Sequence, residues 1–307
     1  MKLFSGSSNH PLAKDIAIHL DIPLSPVEFF LFPDGEQRVR IEESIVDEDV
    51  IIVQSTSTPV DSYYMELFFL IDSAKRNGAK SVTVVMPYVG YQRQDHIFRD
   101  GEAVSLDVVI KMLESLGVDN VIAVDLHSIK IPELFHIPLI HISALPLFAY
   151  VIGKLHWPRL DMCLVSPDMG GIRRIKLLSA LLDGMPFVAT KKNRDLTTGA
   201  IEINDIEGDT TSLKKYAIIV DDMISSGKTI VKSAELLKKH GVEQIYVFAT
   251  HAIFSEEAPQ ILQNSPITKV FVTDSVLIPK EKRFEKLEVI GLAQEVAKTL
   301  KTQSMSS

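Results

Sequence analysis

Cysteine is almost missing from this chain of 307 residues: Cys163 is the single one, so no internal disulfide can staple the fold. Its place in the apolar run Met162-Cys-Leu-Val165 reads as a small buried hydrophobe, and a reducing compartment fits. Long apolar runs are missing too. The opening segment MKLFSGSSNHPLAKD lacks the apolar core of a signal peptide, and the stretch Ile142 to Gly153 contains Pro146 and is too short to cross a bilayer. A cytoplasmic protein with no membrane role is the expectation. Positive charge is in deficit, with 32 Lys and Arg against 40 Asp and Glu, for a net charge of -8. An acidic chain repels polyphosphate backbones unless it concentrates a basic face. The clusters Lys191 to Arg194 and Lys280 to Arg283 are short and far apart in sequence, so no nucleic-acid partner is expected. Low-complexity sequence is lacking except for the polar tail after Thr302, which is expected to be mobile.

Apolar and β-branched runs recur between helical patterns, as in a parallel sheet covered on both faces. The clearest are Val50 to Val53, Val82 to Met86, Val121 to Val124, Cys163 to Val165, Ala217 to Val220 and Ile245 to Phe248. Between the first two, Leu67, Phe68, Leu70, Ile71 and Ala74 fall on one helical face before Asn77-Gly78 stops the helix. The same strand, helix, glycine stop and strand return later, as Ala217 to Val220, a helix ending at Gly241, and Ile245 to Phe248. The earlier copy holds four more residues, which the pattern places in the loop after its first strand. The length suits two related α/β domains, predicted at 1–143 and 144–307, with the last helix able to pack on the first.

The strongest motif is Val220-Asp-Asp-Met-Ile-Ser-Ser-Gly-Lys-Thr229, directly between a strand and an amphipathic helix. Backbone N–H groups at such a helix start form a concavity suited to phosphate. Ser225, Ser226 and Thr229 add hydroxyls, and Gly227 lets the backbone come close. Asp221 and Asp222 would repel a bare phosphate, so they suit another part of the ligand. A vicinal diol or a shared divalent metal would each satisfy them. The plainer account is that Asp and Ser are common turn and cap residues. A nucleotide-binding P-loop is excluded, because the glycine it requires five residues before Gly227 is Asp222 here.

This segment resembles the phosphoribosyl-diphosphate loop of type I phosphoribosyltransferases. Phe32-Pro-Asp-Gly-Glu36, Tyr91-Gln-Arg-Gln-Asp95, Asp125-Leu-His127, Ser166-Pro-Asp-Met-Gly-Gly171 and the Lys192-Asn-Arg194 segment then follow the order found in ribose-phosphate pyrophosphokinases. The resemblance spans about residues 3 to 303. It implies two similar type I phosphoribosyltransferase-like domains, each a mainly parallel sheet flanked by helices. It further implies transfer of the β,γ-diphosphate of Mg-ATP to the C1 hydroxyl of ribose 5-phosphate, within a homo-oligomer.

Under this resemblance Phe32, Asp34, Glu36, Arg93, Gln94 and His127 bind ATP, the Phe32 loop reaching the ATP site of a neighbouring subunit. His127 and Asp168 hold Mg²⁺, His127 through bound water or directly on a phosphate. Lys192, Arg194 and His127 are the catalytic candidates, the first two on a mobile loop that closes on the triphosphate. Asp168, Asp221, Asp222, Ser225, Ser226, Gly227 and Thr229 take ribose 5-phosphate. Two features depart from the common pattern. Lys228 stands where glycine is usual and is expected to point outward. His96 to Ser105 is closer to archaeal-type members than to the common bacterial form, whose corresponding region serves an ADP and phosphate regulatory site, so a tetramer or dimer stands beside a hexamer. Other readings are a nucleobase phosphoribosyltransferase, a non-catalytic synthetase-associated subunit and a nucleotide-sensing module.

Overall fold

The structure, a computed structural model, describes residues 1–155, 157–194, 201–255 and 257–304, and of 192–194, 201–204 and 304 it describes the backbone alone. Branched apolar runs form strands and the amphipathic stretches between them form helices. The chain begins β1 (Lys2–Ser5), α1 (His10–Leu20), β2 (Leu24–Ser25), β3 (Val27–Leu31), β4 (Gln37–Ile41) and β5 (Asp49–Val53). It continues α2 (Val60–Arg76), β6 (Ser81–Met86), α3 (Ser105–Ser115), β7 (Asn120–Val124), β8 (Leu139–Ile142) and α4 (Leu145–Lys154). Next come β9 (Met162–Ser166), α5 (Ile172–Leu181), β10 (Phe187–Arg194), β11 (Ile201–Glu207), β12 (Tyr216–Ile224) and α6 (Lys228–Lys239). Last are β13 (Gln244–Ala252), α7 (Ala258–Gln263), β14 (Lys269–Thr273), β15 (Leu287–Ile290) and α8 (Ala293–Ser304).

Two compact units result. One comprises Met1–Ile142, Ser275–Leu277 and the chain from Gly291 on; the other comprises Ser143–Asp274 and Ile278–Ile290. Helix α8 lies against α1 in the first unit. It runs through Thr302 to Ser304 where a polar tail was expected, and 305–307 lie outside the described residues.

The first unit holds a parallel sheet in the order β2-β1-β5-β6-β7-β8 and a separate antiparallel hairpin, β3-β4. The second holds β11-β10-β9-β12-β13-β14-β15, parallel except for the β10-β11 pair. Successive residues of β12 explain why its strands read as continuous apolar runs. Ala217 and Ile219 enter one core cluster, with Ala234 and Leu237 of α6; Ile218 and Val220 enter another, with Ile175 and Leu178 of α5. Both faces are covered, and each fully buried branched side chain contributes roughly 1.5–3 kcal/mol. Cys163 is fully buried in β9, and burial pushes its thiol up to about 12.

The repeated unit is present as β5-α2-β6 and β12-α6-β13. The loop between strand and helix is longer in the first copy, 54–59 against 225–227, and so is the helix, with 17 residues in α2 against 12 in α6, while the strand is shorter, with 5 residues in β5 against 9 in β12. Lys75 and Arg76 occupy the last turn of α2, Asn77 caps it and Gly78 follows at φ +84°, the left-handed region that glycine enters without cost. Among the described residues no helix is long and apolar enough to cross a membrane.

Candidate active site

The second unit gathers its charged groups where β9 and β12, neighbours in the sheet, reach their C-terminal ends. Strand β12 continues to Ile224, so Asp221 and Asp222 sit inside the strand and not in the turn beyond it, as Val220 had suggested. Parallel pairing with β13 continues past them, to Met223 against His251 and Ile224 against Ala252. Asp168, just past β9, is extended at φ -160°, and its Oδ1 accepts the Gly171 N–H at 3.1 Å. A β-carbon at Gly171 would stand 2.4 Å from Ser166 Oγ, so any larger residue there would have to displace that hydroxyl.

Arg174, in the first turn of α5, completes the cluster. Its Nη1 lies 3.1 Å from Asp221 Oδ1 and its Nη2 3.3 Å from Asp222 Oδ1. The guanidinium fork thus spans the two acids, and all three side chains are largely buried. The same Asp221 Oδ1 accepts the Asp222 N–H at 2.9 Å. Burial first and the Asp222 carboxylate next push Asp221 well above the usual carboxylate range; Asp168 adds to this and Arg174 opposes it. A ligand that brings positive charge or hydrogen-bond donors would relieve the crowding of these acids.

Three residues beyond β12 the chain turns into α6 through Gly227, at φ +72°. Ser225 and Thr229 are half-buried, Ser226 and Lys228 exposed. Lys228 heads the helix with its side chain in solvent, and the left-handed residue is Gly227. The Lys228 N–H donates to Ser226 Oγ at 3.5 Å. The first N–H groups of α6 have no partner one turn earlier, as at any helix start, and that end of the dipole favours an anion. The expected cradle is therefore a strand, a hydroxyl-bearing turn and a helix start in succession.

Lys192 and Arg194 were expected on a loop. Their backbone instead continues β10, paired with Ile203 and Ile201 of β11 after a register shift between Lys191 and Lys192. Their side chains lie outside the described residues, as do 195–200.

In the first unit, Phe32, Asp34 and Glu36 occupy the tip of the β3-β4 hairpin. Phe32 N–H donates to Glu36 O at 2.8 Å, Gly35 N–H to Phe32 O at 2.9 Å, and Glu36 N–H to Asp34 Oδ1 at 3.2 Å. Phe30 and Phe32 meet edge to face at 4.8 Å, with the Arg38 guanidinium over both rings. Arg93 and Gln94 are exposed in the segment after β6. His127 is exposed just past β7, and its N–H donates to Gln92 Oε1 at 3.0 Å.

Arg174 and Gln92 escaped the sequence reading. An arginine one helical turn after a Gly-Gly pair, and a glutamine inside a motif of exposed polar residues, are signals too common to single out.

Comparison with known proteins supplies a second line. Residues 1–117 match the model of the N-terminal domain of ribose phosphate pyrophosphokinase, and residues 182–306 that of the phosphoribosyl synthetase-associated domain. The chain is 35% identical over 312 residues to a ribose-phosphate pyrophosphokinase of Fusobacterium nucleatum, covering all of this chain (100%) and 97% of that protein. It is 37% identical to that of Gloeobacter violaceus, over 98% of this chain and 89% of the other. The crystal structure of phosphoribosylpyrophosphate synthetase from Mycobacterium smegmatis superposes with a TM-score of 0.92 at 32% identity, covering 100% of this chain and 99% of that one.

Proposed function

The chain belongs to the ribose-phosphate pyrophosphokinase family, and from that premise we propose that it transfers the β,γ-diphosphate of Mg-ATP to the C1 hydroxyl of ribose 5-phosphate, giving phosphoribosyl diphosphate and AMP. The observation that carries this reading to particular residues is the cluster of Asp168, Arg174, Asp221 and Asp222 beside the hydroxyl-bearing start of α6.

On the sugar side, Asp221 and Asp222 accept hydrogen bonds from the ribose hydroxyls. The N–H groups and hydroxyls of Ser225, Ser226, Gly227 and Thr229 take the 5-phosphate, where the helix start favours its charge. Holding the sugar at both ends fixes the C1 oxygen for attack. The bond from that oxygen to the β-phosphorus forms as the bridge to the α-phosphate breaks, AMP leaves with the bridging oxygen, and the hydroxyl proton is released. Positioning and charge stabilisation supply such a reaction with most of its rate.

On the ATP side, Phe32 offers a ring for adenine to stack on, and Asp34 and Glu36 offer acceptors at the same hairpin tip. The exposed apolar residues Phe30, Leu31 and Phe32 support the reading that this tip serves the ATP site of a neighbouring protomer in a homo-oligomer. Arg93, Gln94 and His127 face the phosphates, and Lys192 and Arg194 on β10 stabilise charge as the bridge breaks. Magnesium bound with ATP supplies charge neutralisation on the phosphate oxygens. Mg²⁺ prefers oxygen ligands and keeps several waters, which suits the Asp168 carboxylate directly and His127 through water or a phosphate.

The test is product identification. Purified protein with ATP, Mg²⁺ and ribose 5-phosphate should yield AMP and phosphoribosyl diphosphate in equal amounts. ADP as the main product would indicate an ordinary kinase, and ATP binding without turnover a sensing or regulatory chain.

A further inference from the structure

Gln92 is 1% exposed, although Arg93 and Gln94 directly after it are exposed. Its amide reaches from the segment after β6 to the turn after β7, where Oε1 accepts the His127 N–H at 3.0 Å. A backbone N–H can only donate, so this contact decides which way round the amide lies. Nε2 is then buried with no hydrogen-bond partner. A buried donor without an acceptor is unfavourable, and an apolar side chain of similar length would avoid it. What the apolar side chain would lose is the acceptor for His127.

The turn carrying His127 needs such holding. Asp125 adopts φ +34°, in the left-handed region that disfavours residues with a β-carbon. The Asp125 N–H donates to Ile142 O at 3.0 Å and the Leu126 N–H to His141 Nε2 at 3.3 Å, tying the turn to β8. The Gln92 bond ties it instead to the segment that presents Arg93 and Gln94.

We infer that Gln92 is a positioning residue of the diphosphate transfer: it sets His127 in register with Arg93 and Gln94, acting through His127 and not by touching substrate. This rests on the reading of those three residues as the ATP side of the site.

The test compares Gln92→Met, His127→Ala and the double variant of the full chain, following AMP and phosphoribosyl diphosphate formation while each substrate is varied. Gln92→Met alone should lower kcat/KM for ATP by about 10–100-fold, the usual cost of removing a group that orients a site residue. The KM for ribose 5-phosphate should stay within about twofold, since the sugar side is untouched. In the His127→Ala background the same substitution should cost less than about threefold, because the residue it positions is gone. Equal cost in both backgrounds, or equal change in both KM values, overturns the inference and makes Gln92 a packing residue. Gln92→Glu keeps an acceptor in place of Oε1 and removes the Nε2 donor, so kcat/KM for ATP should remain within about fivefold of wild type. A loss matching that of Gln92→Met overturns the inference, and this variant decides the matter if the Met variant does not fold. Wild-type protein that makes no AMP and phosphoribosyl diphosphate defeats the functional reading itself, before any variant is compared.

Discussion

The two copies of the strand, turn and helix unit share a backbone plan and differ in what their side chains do with it. After β5 in the first unit, Gln54, Ser55 and Thr56 are fully buried. Gln54 Oε1 accepts from Ser8 N–H and its hydroxyl, and Nε2 donates to Tyr63 O and Glu66 Oε1. Glu66, from α2, also accepts Ser7 N–H, the Ser7 hydroxyl and Gln37 Nε2. Ser55 Oγ donates to Ser275 O and Thr56 Oγ1 to Tyr88 O. This turn spends its polar groups on itself. At the C-terminal end of β12 in the second unit two acids share one arginine, and in the turn beyond it Ser226 is exposed and a helix start follows. A duplicated framework therefore does not make two equal binding turns. The first copy closes its hydrogen bonds among buried groups, whereas the second ends in an exposed serine and a helix start, which is what the proposed ribose 5-phosphate site uses.

The largest break in this comparison removes the cations that the reading assigns to the second unit. Lys192→Ala and Arg194→Ala should each reduce turnover ~10²–10³-fold in the AMP-forming assay, with the KM for ribose 5-phosphate little changed. Near-normal turnover would take β10 out of the mechanism. Next, Asp221→Asn with Asp222→Asn should raise the KM for ribose 5-phosphate about 10–100-fold while the KM for ATP moves within about threefold; equal loss for both substrates would refute the sugar assignment.

Asp221→Asn also tests the electrostatics. Above the ordinary carboxylate value of 3.8, folded protein retains an Asp221 proton that the unfolded chain has released, so this group makes stability fall as pH rises from there toward its raised value. Thermal unfolding across that range should show a shallower decline for Asp221→Asn than for wild type. Parallel curves would mean that Asp221 ionises normally.

In the closed turn, Glu66→Ala should cost about 1–3 kcal/mol of stability by leaving the buried Gln54 Nε2 short of an acceptor and freeing the less buried Ser7 and Gln37 donors, measured by denaturant unfolding. The KM for ribose 5-phosphate should not change; if it does, the first turn is not merely structural. The smallest effect is expected at Lys228, whose side chain is exposed at the head of α6. Lys228→Ala should alter ribose 5-phosphate affinity by less than about threefold, and a larger loss would show that its charge reaches the phosphate.

Much of the fold was legible because its causes are local. The apolar runs at Val50, Val82, Val121 and Ile245 are strands, and Asn77-Gly78 stops a helix because glycine accepts the left-handed φ. The turn at Ser225 to Gly227 lies between a strand and a helix for the same kind of reason. Other features misled. The four extra residues of the first copy looked like a longer loop alone; the loop is longer, but α2 is longer too, starting at Val60 ahead of the apolar stripe that marked it, and β5 is shorter than β12. Asp221 and Asp222 looked like turn residues and belong to β12, because pairing with β13 carries the strand past a charge that propensity alone would stop at. Lys192 and Arg194 looked like loop cations and have strand backbone, because β11 pairs with them.

By itself the sequence determined the α/β class, the repeated unit and the order of motifs, all of which depend on residues within one element or one turn of each other. Only tertiary structure decided that Arg174 clamps Asp221, 47 residues away, together with its neighbour Asp222, and that Gln92 takes the His127 N–H across 35. Those pairings follow from β9 lying beside β12 and β6 beside β7, with each strand's register fixing which loops meet at the sheet's C-terminal end. Strand order is settled by the packing of many side chains at once, so no local pattern in the chain records it.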